Sequence, residues 1–131
     1  MDVKDLMIGD WVVMKDKPYK IASLSNIENP ELENDKYIFH CLKDEIVPIL
    51  LTPEILEENG FKCEEIIQSH WISEDGRILL RNDEWIINSN NKWLAHFDNE
   101  DMQTIGCFEL TYVHELQHAL RLCNINKKIE V

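Results

Sequence analysis

The sequence predicts an α+β fold: a strongly bent antiparallel sheet of six to eight strands, with a short middle helix and a C-terminal helix packed on it. Three observations carry that expectation. Short β-prone runs alternate with turn residues along most of the chain, at the spacing of hairpins and meanders. A full set of helix start and stop signals brackets residues 53–59. Helical periodicity takes over only at 112–123. Of 131 residues, 44% are hydrophobic and 29% charged. That is enough apolar material for one core and argues against disorder, so a single domain over 1–131 is expected.

The elements follow in chain order. Ile8-Gly9-Asp10 reads as a turn into the run Trp11-Val12-Val13-Met14. Lys15-Asp16-Lys17-Pro18 supplies turn residues, and Tyr19 to Leu24 alternates with period two, completing a hairpin with one buried face. The polar stretch 26–36, with Pro30, reads as a loop. Tyr37 to Leu42 is a third strand, Asp44-Glu45 a turn, and Ile46 to Leu50 an extended segment. Pro48 cannot donate to a central ladder, which places that segment at an edge.

Residues 52–61 carry the clearest local signal. Thr52 can cap a helix that begins at Pro53, and Glu54 suits the positive end of the helix dipole. Gly60 fits the left-handed position after the helix, with Phe61 closing back on Leu56. Further on, Trp71-Ile72, Arg77 to Arg81, Glu84 to Ile87 and Lys92 to Phe97 are separated by turn residues and read as a meander. Asp98 to Asp101 is a solvated acidic loop, since it lacks the glycine and final glutamate of an EF-hand. The last strand is Thr104 to Leu110. Thr111 then caps a helix from Tyr112 to about Cys123, and Lys127 to Val131 is a candidate short edge strand.

Charge narrows the function classes. The formal net charge is −12, spread along the chain rather than gathered in a tail. Such a surface repels phosphate backbones and anionic membranes, so neither direct nucleic-acid binding nor membrane binding is expected. The four cysteines, Cys41, Cys63, Cys107 and Cys123, are widely spaced with no C-x-x-C. The first residues lack a signal-peptide pattern. A reducing cytoplasm is the expected setting.

One pattern names a reaction. His114-Glu115-Leu116-Gln117-His118 reads H-E-x-x-H, in which two imidazoles one helical turn apart bind zinc and the glutamate acts as base. The helical wheel gathers Tyr112, Val113, Leu116, Ala119, Leu120 and Cys123 on one side, with His114, His118 and Arg121 on the other. A catalytic zinc also needs a third protein ligand. Arg121 and Asn124 stand where a downstream extension would carry glycine and histidine. A third ligand must come from upstream, from His40, His70, His96 or an acid. A shuffled chain of this composition shows the pattern with a probability of about 0.02, so the pattern alone is moderate evidence.

The whole chain resembles a family of small uncharacterised bacterial proteins often carried on prophages. The resemblance rests on Leu6, Ile8-Gly9 and Val12, then on Pro48-Ile49, Leu51-Thr52, Glu54-Ile55-Leu56 and Asn59-Gly60-Phe61, and finally on Tyr112-Val113-His114-Glu115-Leu116-Gln117. The family's last motif commonly reads H-x-L-Q-N, so His118 departs from it. The resemblance therefore implies no zinc peptidase, and it implies a hydrogen-bonding role for His114 and Gln117.

Three readings follow. The favoured one is a non-catalytic accessory or interaction protein with a protein partner, with no catalytic, cofactor or metal residues. The first alternative is a zinc-dependent hydrolase with His114 and His118 as ligands and Glu115 as base. The second is an acidic decoy that mimics DNA. Trp71, Trp85 and Trp93 serve as core or as partner surface in the first reading.

Overall fold

The computed structural model describes residues 3–67, 69–82 and 92–131. The expected strand Glu84-Trp85-Ile86-Ile87 and the break after it lie outside the described residues. The fold is α+β, with two antiparallel sheets and two α-helices, one of them C-terminal. The strands divide between two five-stranded sheets, whereas the sequence reading gathers six to eight into one. The chain also divides into two compact units, Met1–Ile49 and Leu50–Val131, and each carries one sheet.

In the first unit the strands are β1 (Trp11–Met14), β2 (Lys17–Ser23), β3 (Glu31–Glu33), β4 (Ile38–His40) and β5 (Ile46–Pro48). Their order is β4-β3-β2-β1-β5, a four-strand meander whose fifth strand returns to pair with the first. The turn into β1 is built by its own residues. Gly9 takes φ 91°, and Asp10, fully buried, accepts the Met7 N–H through Oδ2 at 2.7 Å. The β1–β2 turn is two residues, Lys15 and Asp16, both left-handed at φ 50° and 65°. That is the turn whose twist matches the strands. It leaves Lys17 and Pro18 in β2, and Pro18 is accommodated because β3 pairs only from Lys20 onward.

Strand β3 lies inside the expected loop 26–36, with Leu32 fully buried between two half-buried glutamates. Asp44 and Glu45 fall in a 3-10 turn, Lys43–Glu45, and Pro48 lies on an outer strand as expected. Leu6, Val12, Met14, Ile21, Leu32, Cys41 and Ile46 form the core of this unit, with Tyr19 and Phe39 packed against it edge to face.

The second unit opens with α1 (Pro53–Glu58). The Thr52 hydroxyl accepts the Ile55 N–H at 3.3 Å. At the other end the Phe61 N–H reaches the Leu56 carbonyl at 3.0 Å, the Gly60 N–H reaches Glu57 at 3.2 Å, and Gly60 takes φ 85°. This is the expected Schellman ending. Strands β6 (Lys62–Cys63), β7 (His70–Ile72), β8 (Ile78–Arg81), β9 (Trp93–Asp98) and β10 (Thr104–Leu110) follow in the order β10-β9-β8-β7-β6.

Strand β9 alternates fully: Trp93, Ala95 and Phe97 are buried, and the residues between them are half-buried. Trp93 is core, and its indole N–H donates to the Leu51 carbonyl at 3.0 Å. Trp71 is half-buried, and Trp85 lies outside the described residues. Gly106 in β10 allows a close approach, because a Cβ there would sit 2.6 Å from the Phe108 ring and 2.8 Å from Cys123 Sγ.

The last helix, α2, spans Val113–Leu122, and its cap is Tyr112 rather than Thr111. It too ends in a Schellman pair, Ile125 N–H to Leu120 and Asn124 N–H to Arg121, with Asn124 left-handed at φ 55°. The tail 127–131 forms no strand, contrary to the expectation. Its pairing comes from a side chain instead. The Asn59 amide bonds both the N–H and the carbonyl of Glu130, and Ile129 beside it is buried. No described helix is long and apolar enough to cross a membrane.

Candidate functional site

The H-E-x-x-H residues all lie on α2, and the geometry within the helix is as the spacing requires. The rings of His114 and His118 are 5.6 Å apart between centroids. Their surroundings differ from the wheel assignment. His114 is buried, only 5% exposed, and falls with Val113, Leu116, Ala119 and Leu120 rather than on an exposed polar face. Tyr112 accounts for part of this. Its ring lies parallel to the imidazole, 8° between planes and 5.7 Å between centroids, and covers one face. His118 is half-buried, and Arg121 is exposed.

Glu115 has a structural role. Its Oε1 accepts the Thr111 N–H at 3.0 Å and the Tyr112 N–H at 2.9 Å. Those are backbone donors at the helix start with no partner inside the helix, and a glutamate at the third helical position is the residue that reaches back to them. The carboxylate also carries negative charge at the positive end of the helix dipole. A base for hydrolysis must present its oxygen to a metal-bound water. In Glu115 one oxygen is occupied by two backbone N–H groups.

The upstream histidines each have neighbours of their own. His40 is exposed beside Glu31, with Nε2 3.2 Å from the carboxylate and Nδ1 3.2 Å from the Asn29 carbonyl. His70 lies 3.8 Å from Glu64. His96 sits in β9 opposite Leu79 and Cys107. Among the described residues no group of three His, Cys, Asp or Glu side chains is placed to hold a metal ion. Burial pushes the thiols of Cys41 and Cys123 above the ordinary cysteine range, which favours their uncharged form.

A second feature escaped the sequence reading. An open cavity of about 540 Å³ in the second unit is lined from three separate places: the β7–β8 turn, the β9–β10 turn and the chain that leaves α2. None of these segments carries a recognised motif. The signals that could have pointed there are the tight turn Ser73-Glu74-Asp75-Gly76 and the left-handed Asn124. Within that turn the Ser73 hydroxyl donates to Asp75 at 2.7 Å and accepts the Ile78 N–H at 3.0 Å. The Ser73 bond holds the Asp75 carboxyl below the usual carboxylate range, helped by the Arg77 N–H and charge, against a smaller opposing effect of burial.

No family model, curated protein or solved structure matches the chain.

Proposed function

We propose that the protein is a non-catalytic accessory or interaction protein that works through a protein partner, of the bacterial, prophage-associated and cytoplasmic kind that its motifs resemble. The single observation that carries this reading is the engagement of Glu115. The one residue able to act as base in the one reaction-bearing motif is bonded to two backbone N–H groups as a helix cap. The burial of His114 against Tyr112 supports the same conclusion.

The interaction half of the reading is supported by the outer strand β4. Ile38 on that strand and Tyr37 beside it are 66% and 64% exposed. An outer strand with apolar side chains is the kind of edge that partner chains pair with.

Two measurements test the proposal. Protein purified without a metal-affinity tag is titrated with zinc while its Tm and peptide hydrolysis are followed; neither is expected to rise. Crosslinking in cells is then compared between the wild type and the double variant Tyr37→Lys/Ile38→Lys, which is expected to lose the wild type's crosslinked partner. Zinc-dependent hydrolysis that disappears in Glu115→Gln at unchanged Tm overturns the reading.

A further inference from the structure

The cavity between the β7–β8 turn, the β9–β10 turn and the chain after α2 holds both signs of charge. Its lining residues include the acidic Glu74, Asp75 and Glu100 and the basic Arg77 and Lys127. Among the described residues none of these five groups lies within 4.0 Å of an opposite charge. Side chains of opposite sign that line one concavity can usually lower their energy by pairing. Here other contacts hold the cations in place. Arg77 Nε donates to the Asp98 carbonyl at 3.0 Å, which fixes the guanidinium plane and leaves its terminal N–H groups for another acceptor. The Lys127 ammonium lies 5.3 Å from the centre of the Phe61 ring, a cation–π contact that positions it without a counter-charge.

The backbone around these groups is braced. The β7–β8 turn is locked by Ser73, Asp75 and the left-handed Gly76. The β9–β10 turn is locked by Asn99, whose side-chain oxygen accepts the N–H groups of Asp101 and Gln103. The chain after α2 is fixed by the Asn124 ending and further on by Asn59. A cavity of about 540 Å³ is within the usual range for small-molecule sites.

We infer that this cavity binds a small zwitterion, a molecule whose carboxylate meets Arg77 and Lys127 and whose ammonium meets Asp75 and Glu100. A free amino acid and a short unblocked peptide share that chemistry. A simple anion would face three carboxylates, and a simple cation would leave the guanidinium unanswered. A ligand with both charges satisfies both sets of groups. The site is separate from the α2 motif and goes beyond the interaction reading.

The test is an amide chemical-shift titration of the full chain with L-alanine and, separately, with L-alanyl-L-alanine. N-acetylalanine, which lacks the ammonium, and alaninamide, which lacks the carboxylate, serve as controls. Saturable shifts at Ser73–Ile78 and Asn124–Lys127 with either zwitterion are expected, with each control weaker by about tenfold or more. Whichever of alanine and the dipeptide saturates first identifies the source. Lys127→Gln is expected to weaken binding by about tenfold, and Arg77→Gln by more, with the spectrum outside the cavity unchanged. If Arg77→Gln perturbs the fold, Lys127→Gln carries the test alone. No saturable shift with either zwitterion overturns the inference, as does equal binding of zwitterions and controls.

Discussion

Asn59 holds Glu130 by both of its backbone groups: Nδ2 donates to the Glu130 carbonyl at 2.8 Å, and Oδ1 accepts the Glu130 N–H at 2.8 Å. A single primary amide thus supplies the two-point pairing that a neighbouring strand would give. The same Nδ2 also reaches the Ile55 carbonyl at 2.7 Å, so the end of α1 and the tail share one clamp. Asn59→Ala is expected to lower unfolding free energy by about 1–3 kcal/mol, because it removes several bonds from partly covered backbone groups. Urea denaturation reads the loss, and hydrogen exchange at the Glu130 amide should quicken. A variant with the wild-type urea midpoint and exchange rate would show that the clamp contributes nothing.

Glu115 gives a second prediction. Glu115→Ala strips both the Thr111 and Tyr112 N–H groups of their acceptor and should cost about 1–2 kcal/mol. Glu115→Gln keeps an oxygen there and should retain most of that stability. Chemical denaturation of the two variants side by side separates the roles: a cap discriminates alanine from glutamine, whereas an idle surface carboxylate discriminates neither.

Gly106→Ala should destabilise by about 1–3 kcal/mol, since the new methyl meets the Phe108 ring at 2.6 Å and Cys123 Sγ at 2.8 Å. Adding Cys123→Ala removes one of those two obstacles. The double variant is therefore expected to recover part of the loss. Thermal denaturation of the two single variants and the double variant measures that recovery, and strict additivity would contradict it.

Asp75 predicts an acid limb. Its folded carboxyl titrates below the ordinary value of 3.8, chiefly through the Ser73 hydroxyl bond. As pH falls, the unfolded chain takes up that proton first. The contribution is therefore fully present above the ordinary carboxylate value and is lost as pH falls through the lower folded one. The carboxyl is exposed, so solvent screening keeps the effect small. Stability measured from about pH 5 downward should converge for the wild type and Asp75→Asn. A gap that widens toward low pH would reverse the assignment.

The local signals of the middle helix are legible in the sequence. Thr52, Pro53, Gly60 and Phe61 define α1 within ten residues, and each makes the contact that its chemistry implies. Strands whose identity depends on distant neighbours were not legible. Glu31-Leu32-Glu33 is a strand because β2 and β4 flank it, and nothing in a polar three-residue stretch announces that. At the candidate site, Glu115 three residues after Tyr112 was a visible capping signal that the zinc pattern obscured. The burial of His114 was not visible, because a helical wheel fixes angles around the axis but not how wide an arc the surroundings cover.

Among the described residues of the second unit each strand pairs with the described strand before or after it, so these pairings can form stepwise as the chain emerges from synthesis. The Asn59–Glu130 clamp is the opposite kind of contact, closing 71 residues of chain. Loop closure of that length carries a larger entropic cost than any single hairpin. The sheet should therefore be in place before the clamp forms, and the clamp should be among the first contacts to open when the fold is stressed.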